Sequence, residues 1–240
     1  MMSMIKRVIT YHKVMTLLWV VCMIVGFALI SHATIVPVIA TNRSNRATSA
    51  AVAEYLRQVA ELTQDEIDTQ FYRAERHNQM LNCVYNFRPI LFGELADIPQ
   101  DYTQILNIGG TMARLVIPAI SVDLPILHGT TQETMARGVG HLEGSSLPIG
   151  GYGTHSALTT HSGKPTATLF NRLEEIQEGD IFIIYVLDRR LTYEVDRITV
   201  IEPNEVWHLR VDPDEDLVTL ITCTPIQVNT HRLLVRGRRV

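Results

Sequence analysis

The sequence predicts a mainly β domain, a barrel or a sandwich, that follows a helical N-terminal region. Two observations predict this class: short β-like segments with turn residues between them fill the chain after Gly110, and helical periodicity is concentrated before that point. A hydrophobic share of 46% and a charged share of 19% are typical of a chain with a packed core. A net charge of −4 gives no electrostatic case for nucleic-acid binding.

The first feature along the chain is an uncharged apolar run, Val14–Ile30, and small or apolar residues continue toward Ala40. A helix rises 1.5 Å per residue, so this run is long enough to cross a bilayer core. We predict a transmembrane anchor over residues 14–36.

The flanking charges predict how this segment is oriented. Lys6, Arg7 and Lys13 precede it, so the positive-inside rule makes residues 1–13 a cytoplasmic N-terminus. A cleaved signal peptide is the alternative, because Ser31–Ala33 resembles a small-x-small cleavage site. In both cases the remaining chain is exported, and the retained anchor predicts a single-pass membrane protein with an extracellular catalytic domain.

A polar linker is predicted over residues 37–47, and a helical hairpin with a lid-like loop over residues 48–110. Thr63 followed by Glu66 is a capping-box signature, which opens the second helix. Each helix has one apolar stripe. The stripes are Val52, Leu56 and Val59 in the first helix and Ile67, Phe71 and Ala74 in the second. We expect the hairpin to pack its stripes on the main domain; a partner-binding role is the alternative.

Residues 111–240 carry the β signals and form the predicted catalytic domain. A short helix is predicted over Thr168–Ile176. The predicted strands are Ala113–Ile117, Leu124–Leu127, Ser156–Thr160, Ile181–Leu187, Leu191–Ile201, Leu217–Cys223 and Arg232–Val235.

Cys223 is the first candidate for chemistry. Strand alternation places it on one face with Leu217, Thr219 and Ile221, and Pro225 ends the strand, so the thiol lies at a strand terminus. A buried structural cysteine is the alternative. The three cysteines are too few for a disulfide scaffold, but one bridge between Cys83 and Cys223 remains open.

The next strand brings Arg232 toward this thiol. If the two strands form an antiparallel hairpin across Thr224–His231, then Cys223 and Arg232 lie close together at the loop end. A guanidinium in that place stabilises a thiolate and can hold a developing oxyanion. A surface arginine on a barrel rim is the alternative.

A cysteine nucleophile usually needs an imidazole, and spacing alone does not choose among several histidines. The histidines nearer the predicted site are His128, His141, His155, His161 and His231.

Several motifs together resemble the class C, or pilus-assembling, sortase family. Thr219–Pro225 resembles the sortase TLxTC signature, and Thr160–Gly163 resembles its His-Arg-Gly motif. Asn229–Gly237, Gly138–Pro148 and Leu124–Gly129 are similar to class C sequence. The similarity extends over about residues 49–240. It implies an eight-stranded sortase β-barrel with an N-terminal helical hairpin and a transmembrane helix.

The resemblance also implies the roles of individual residues. Cys223 becomes the nucleophile, His161 the acid and base, and Arg232 the partner of substrate and oxyanion, whereas His141 and His155 become structural or groove-lining. The implied substrate-binding residues are Thr160, Thr222 and His231.

The implied activity is cysteine transpeptidation without a metal or organic cofactor. An LPxTG-like sorting signal on a pilin or surface protein is cleaved, and its acyl group is joined to an amine, a pilin lysine or a cell-wall precursor. Three alternatives remain open. They are a housekeeping sortase that anchors proteins to the cell wall, a cysteine hydrolase and a non-catalytic surface module that binds peptides.

Three departures from the family pattern give further expectations. Ser162 stands where the histidine motif usually has Arg. Cys83–Gly110 has no Asp-Pro-aromatic lid motif, since Asp97-Ile98-Pro99 does not match it, which predicts an absent or altered lid. No second apolar segment follows the first, so anchoring through the N-terminus alone is expected.

Overall fold

The computed structural model describes residues 2–85, 102–163 and 167–240. It contains a closed eight-stranded β-barrel that follows two long helices, which confirms the predicted fold class. The helices are α1 (Met2–Glu61), α2 (Gln64–Tyr85) and α3 (Gln132–Arg137). The strands are β1 (Ala113–Ile117), β2 (Val122–His128), β3 (Val139–His141), β4 (Thr154–Thr159), β5 (Ile181–Val186), β6 (Arg189–Ile201), β7 (Asp216–Thr224) and β8 (His231–Arg239).

The barrel closes in the order β1-β2-β3-β4-β7-β8-β6-β5, so each of these eight strands is paired on both sides. Two pairs, β2–β3 and β4–β7, are parallel, and the others are antiparallel. The β4–β7 pair is important for the site because it joins segments that are far apart in the sequence.

Alternation along the strands creates an inner core and an outer face. On β7, Val218 and Leu220 pack in the main core, as do Leu233 and Val235 on β8. The alternate residues point outward. Several of them form a second apolar cluster on the outside of the barrel, covered by the β6–β7 connection. Its members are Leu142, Ala157, Ile201, Leu209 and Leu234, with Ile221 packed against them.

Helix α1 is continuous through the predicted anchor and beyond it. Its segment Met15–His32, with a mean hydropathy of 2.1, is long and apolar enough to cross a membrane. Residues 37–47, the predicted linker, are also helical. After Pro37 this stretch contains neither Gly nor Pro, and Ala, Arg, Asn and Thr are all tolerated inside a helix.

The end of α1 docks on the barrel through Tyr55, whose hydroxyl accepts a hydrogen bond from the Leu187 N–H at 2.8 Å. Val52 is buried beside it, but Leu56 is 41% exposed, so the predicted stripe was wrong at that position. The face toward the barrel follows positions 52, 55 and 59, and Leu56 lies one residue round the helix from it.

Helix α2 begins as predicted, since the Thr63 N–H donates to Glu66 Oε2 at 2.8 Å and the Glu66 N–H donates to Thr63 Oγ1 at 3.4 Å. The predicted stripe of Ile67, Phe71 and Ala74 is buried, which confirms it. The hairpin therefore packs on the barrel.

Three elements differ from the sequence prediction. Strand β3 was missed because three residues are too few to show alternation. Helix α3 was also missed, although Thr131 caps it. The helix predicted over Thr168–Ile176 is reduced to a 3₁₀ turn, Leu173–Glu175. The lid expectation concerns a loop of which residues 86–101 lie outside the described residues.

Candidate active site

The candidate site lies on the outer face of the barrel, where three neighbouring strands reach the same rim. Strand β7 pairs with β8 so that Cys223 is directly opposite Arg232. On its other side β7 runs parallel to β4, with Ile221 beside Thr159. Two residues further along both chains, this register brings His161 to the level of Cys223. His161, Cys223 and Arg232 therefore form one row across three strands, which we call the rim row.

All three members of the rim row are partly exposed, as expected for outward-facing residues near the ends of strands. Cys223 is a free thiol, so the bridge to Cys83 considered in the sequence does not form. The sequence prediction that Cys223 and Arg232 meet at the loop end is confirmed by the strand register.

Hydrogen bonds hold the chain before and after His161 against β7, although His161 is beyond the last residue of β4. The Thr160 N–H donates to the Ile221 carbonyl at 3.3 Å, and Thr222 Oγ1 donates to the Thr160 carbonyl at 2.9 Å. Ser162 Oγ then donates to the Cys223 carbonyl at 2.6 Å. These bonds hold the backbone on both sides of His161 beside Cys223.

The chain turns away from the sheet at Gly163, which has a φ of 70°. A Cβ atom at this residue would lie 2.6 Å from Ile226 Cγ2 in the β7–β8 loop. Only glycine gives both the left-handed conformation and this close approach. Gly163 therefore lets the segment after His161 pack against the loop after Cys223.

Arg232 is oriented by the loop that precedes it. Its Nη1 donates to the Asn229 carbonyl at 3.3 Å and to the His231 carbonyl at 3.0 Å. A guanidinium has five N–H donors, and these two bonds use only one of its nitrogens. The arrangement can hold a carbonyl oxygen next to the thiol or stabilise negative charge on it.

The predicted substrate-binding residues differ in their burial and in their contacts. Thr160 and Thr222 are buried, and their hydroxyls donate to the carbonyls of Met135 and Thr160. We therefore expect these two threonines to shape the site rather than to touch a substrate.

His231 alternates with Arg232 on β8, on the same side as the core residue Leu233. Its Nε2 lies 3.2 Å from a carboxylate oxygen of Glu202, and its Nδ1 lies 2.9 Å from Thr230 Oγ1. The structure thus places this residue beside the rim row and not within it.

His155 has a structural environment. It is buried, its Nδ1 donates to the Arg210 carbonyl at 2.9 Å, and its Nε2 accepts from Thr219 Oγ1 at 2.7 Å. Burial lowers the pKa of His155 to about 4. The ring is neutral at pH 7 with both nitrogens engaged, which suits a structural histidine.

His141 and His128 are also held inside the fold. The His141 ring is fully buried, with Nδ1 at 2.6 Å from the Tyr102 hydroxyl and Nε2 at 2.9 Å from the Ser146 carbonyl. Burial lowers its pKa to about 3 and also lowers the pKa of His128, whose Nε2 bonds to the Ile105 carbonyl at 2.8 Å. Among the five candidate histidines, His161 is the one that the strand register brings level with Cys223.

Sequence reasoning missed two polar contacts next to the thiol. One is the hydroxyl of Ser162 on the Cys223 carbonyl; the unusual residue after the histidine was its only signal. The other joins Thr224 Oγ1 to Glu174 Oε1 at 2.6 Å and fixes the last residue of β7. Glu174 is distant in the sequence, so nothing in its local pattern could have indicated this contact.

Comparison with known proteins is consistent with this geometry. The Sortase domain family matches residues 115–240. Among solved structures, sortase C1 of GBS Pilus Island 1 is 38% identical, with 80% of this chain and 92% of that chain covered and a TM-score of 0.74. Sortase C-1 of Actinomyces oris is 48% identical, with 73% and 98% covered and a TM-score of 0.68.

A curated relative, sortase A of Bacillus anthracis, is 25% identical over 185 residues, which cover 77% of this chain and 78% of that protein. The family match includes the strands that carry the rim row, and the solved neighbours extend the likeness to the N-terminal side of the barrel. A closed mixed barrel, a free thiol at the end of β7 and these relatives lead to one conclusion: the chain belongs to the sortase family of cysteine transpeptidases, with class C sortases as its structural neighbours.

Proposed function

We propose that this chain is a membrane-anchored class C sortase that polymerises pilins, with Cys223 as nucleophile, His161 as acid and base, and Arg232 as the oxyanion partner. The observation that carries the proposal is the rim row itself. Strand register alone brings the thiol between an imidazole-bearing segment and a guanidinium, all on one accessible face.

In the first step the Cys223 thiolate attacks the Thr carbonyl carbon of an LPxTG-like sorting signal. A thioester forms as the Thr–Gly bond breaks, and the protonated His161 gives its proton to the leaving Gly amine. The thiolate is the reactive form of a cysteine, and an imidazolium and a guanidinium beside it stabilise its negative charge. Arg232 holds the carbonyl oxygen while negative charge develops on it.

In the second step a lysine amine of another pilin attacks the thioester carbonyl. Neutral His161 accepts the proton released by the attacking amine, and the Cys223 thiolate leaves. The product is an isopeptide bond between two pilin subunits, and the free enzyme is regenerated with its thiolate and imidazolium.

The pilin substrate is supported by the solved relatives. One of them is named for a pilus island, and the structure of Streptococcus pneumoniae sortase C is described as giving insight into catalysis and pilin substrate specificity. These neighbours share 36–38% identity with this chain over 80% of its length. A housekeeping sortase that uses a cell-wall precursor as acceptor is the second candidate, favoured by the relation to sortase A of Bacillus anthracis.

Anchoring through α1 completes the proposal. The uncharged segment Met15–His32 crosses the membrane, residues 1–13 remain in the cytoplasm, and the barrel of residues 111–240 acts outside the cell. Residues 48–85 form the helical hairpin that docks on the barrel. This arrangement holds the enzyme at the surface where exported substrates emerge.

The test uses the full chain in detergent with an LPxTG peptide and a lysine-bearing pilin acceptor. We expect cleavage, a Cys223 thioester visible by mass spectrometry, and a peptide–lysine product; Cys223→Ala abolishes all three. Cleavage that persists in Cys223→Ala would refute the assignment. Hydrolysis without a lysine product would indicate a cysteine hydrolase, and a product formed only with cell-wall precursor amines would indicate the housekeeping role.

A further inference from the structure

Ser162 joins the two catalytic segments directly, and the roles proposed above do not use it. We infer that Ser162 is a positioning residue: its hydroxyl, by donating to the Cys223 carbonyl, holds His161 beside the thiol during acyl transfer. This inference rests on the proposed roles of Cys223 and His161. It does not depend on which amine resolves the thioester.

The parallel ladder between β4 and β7 supports this role. In such a ladder every second carbonyl of one strand accepts a bond from the other strand. The Ile221 carbonyl accepts the backbone N–H of Thr160 at 3.3 Å. The next acceptor in that series is the Cys223 carbonyl, and it receives the side-chain hydroxyl of Ser162 at 2.6 Å. A side chain therefore continues the ladder past the end of β4.

The backbone is also leaving the sheet at this place. β4 ends at Thr159, and Gly163 turns the chain toward the β7–β8 loop with a φ of 70°. A hydroxyl reaches the Cys223 carbonyl while its own backbone begins this turn. The bond thus keeps His161 in register while the chain begins its turn at Gly163.

The place of the bond in the sequence ties it to both catalytic residues. Ser162 directly follows His161, and the acceptor belongs to Cys223 itself. If this hydrogen bond is lost, His161 can move relative to Cys223. A hydrogen bond deeper in the ladder matters less, because regular strand pairing also holds the two chains there. Thr159 provides that comparison, because its Oγ1 donates to the Ile221 carbonyl at 3.1 Å within paired strands.

The experiment compares Ser162→Ala and the isosteric pair Ser162→Thr and Ser162→Val with the wild type, using the full chain and an LPxTG peptide. We expect kcat for acylation to fall about tenfold in the Ala and Val variants with KM nearly unchanged, because misplacement of a catalytic group reduces rate more than binding. Ser162→Thr retains a hydroxyl and keeps the wild-type rate. Thr159→Val, the matched control, keeps both rate and KM.

A second measurement separates positioning from simple loss of stability. The rate of Cys223 alkylation by iodoacetamide, read by mass spectrometry of its peptide, should fall in the Ala and Val variants because the imidazole that assists the thiol is misplaced. It should stay unchanged in Ser162→Thr and Thr159→Val.

The result that overturns the inference is equal activity and equal alkylation rates in Ser162→Thr and Ser162→Val. This pair differs by one hydroxyl against one methyl, so the comparison holds even where Ser162→Ala folds poorly. Cys223→Ala is assayed in parallel. If it stays active, the proposed function itself fails; if it is inactive while Ser162→Val is normal, only the positioning role fails.

Discussion

Two rows of residues on the same outer face have similar composition and different environments. The rim row consists of His161, Cys223 and Arg232. The deep row, six residues further into the barrel along β4, consists of His155, Leu217 and Arg238. Each row has a histidine from the β4 chain, a β7 residue in the middle and an arginine from β8.

In the deep row both polar groups are already engaged. His155 is buried with hydrogen bonds to both ring nitrogens, and Arg238 Nε is 2.8 Å from a carboxylate oxygen of Glu215. In the rim row the thiol is partly exposed, and Arg232 bonds to carbonyls of its own loop. The position along a strand, rather than the presence of His and Arg, therefore decides which row is suited to chemistry.

The largest predicted effect is the difference in activity between substitutions of His161 and of His155. We expect His161→Ala to lower kcat/KM for sorting-peptide cleavage about a thousandfold, because general acid–base groups contribute about 10²–10⁴-fold. His155→Gln should keep the rate within a few fold below its melting temperature. The rates are measured with the same peptide and with protein shown to be folded by circular dichroism. A larger loss in His155→Gln than in His161→Ala would reverse the roles of the two rows.

The two arginines provide the next comparison. Arg232→Ala should lower kcat about a hundredfold, since loss of one oxyanion donor costs about 10²–10³-fold. Arg238→Ala removes ion pairs with Glu215 and Asp196 at the protein surface and should leave kcat unchanged, because such pairs contribute about 1 kcal/mol or less to stability. Single-turnover acylation rates measure this directly. Full activity in Arg232→Ala would show that the guanidinium has no part in the reaction.

The smallest predicted effect is the change of the free energy of unfolding with pH. The pKa of His155 falls from 6.5 to about 4 on folding, so the unfolded chain binds a proton that the folded chain does not between these values. The free energy of unfolding is therefore highest above pH 6.5 and decreases as the pH falls toward 4, by about 3 kcal/mol for this group. His141, with a pKa of about 3, acts in the same direction.

Urea unfolding of the full chain in detergent at pH 7 and pH 4.5 measures this loss. We expect His155→Gln to be less stable than the wild type at pH 7 but to lose less of its stability on acidification. A pH dependence identical to that of the wild type would mean that His155 is not a neutral buried group in the folded protein.

Much of the fold could be predicted from the sequence because its signals are local. The period-two alternation located seven of the eight strands, and the capping residues Thr63 and Glu66 located the start of α2. Strand β3 is too short to show a period. Leu56 was misplaced because a helical stripe alone does not say which of two adjacent residues faces the barrel, and Tyr55, with its hydroxyl on the Leu187 N–H, takes that place.

The site was predicted in two different ways. The proximity of Cys223 and Arg232 follows from a short hairpin, which is a local property of the sequence. The choice of His161 among five histidines came from family resemblance, because a parallel pair between distant strands leaves no local signal. The contacts of Ser162 and Glu174 near the thiol depend on side-chain geometry that no periodicity encodes.

The parallel pairing of β4 with β7 determines when, during folding, His161 comes to lie beside the proposed nucleophile, Cys223. Residues that pair across these strands are 62 positions apart in the sequence, and contacts of such long range form slowly because a large loop must be closed first. A chain still emerging from the membrane has its thiol without the imidazole neighbour. In the proposed mechanism, reactivity at Cys223 therefore begins with barrel closure, and we expect no thioester to form before the domain has folded.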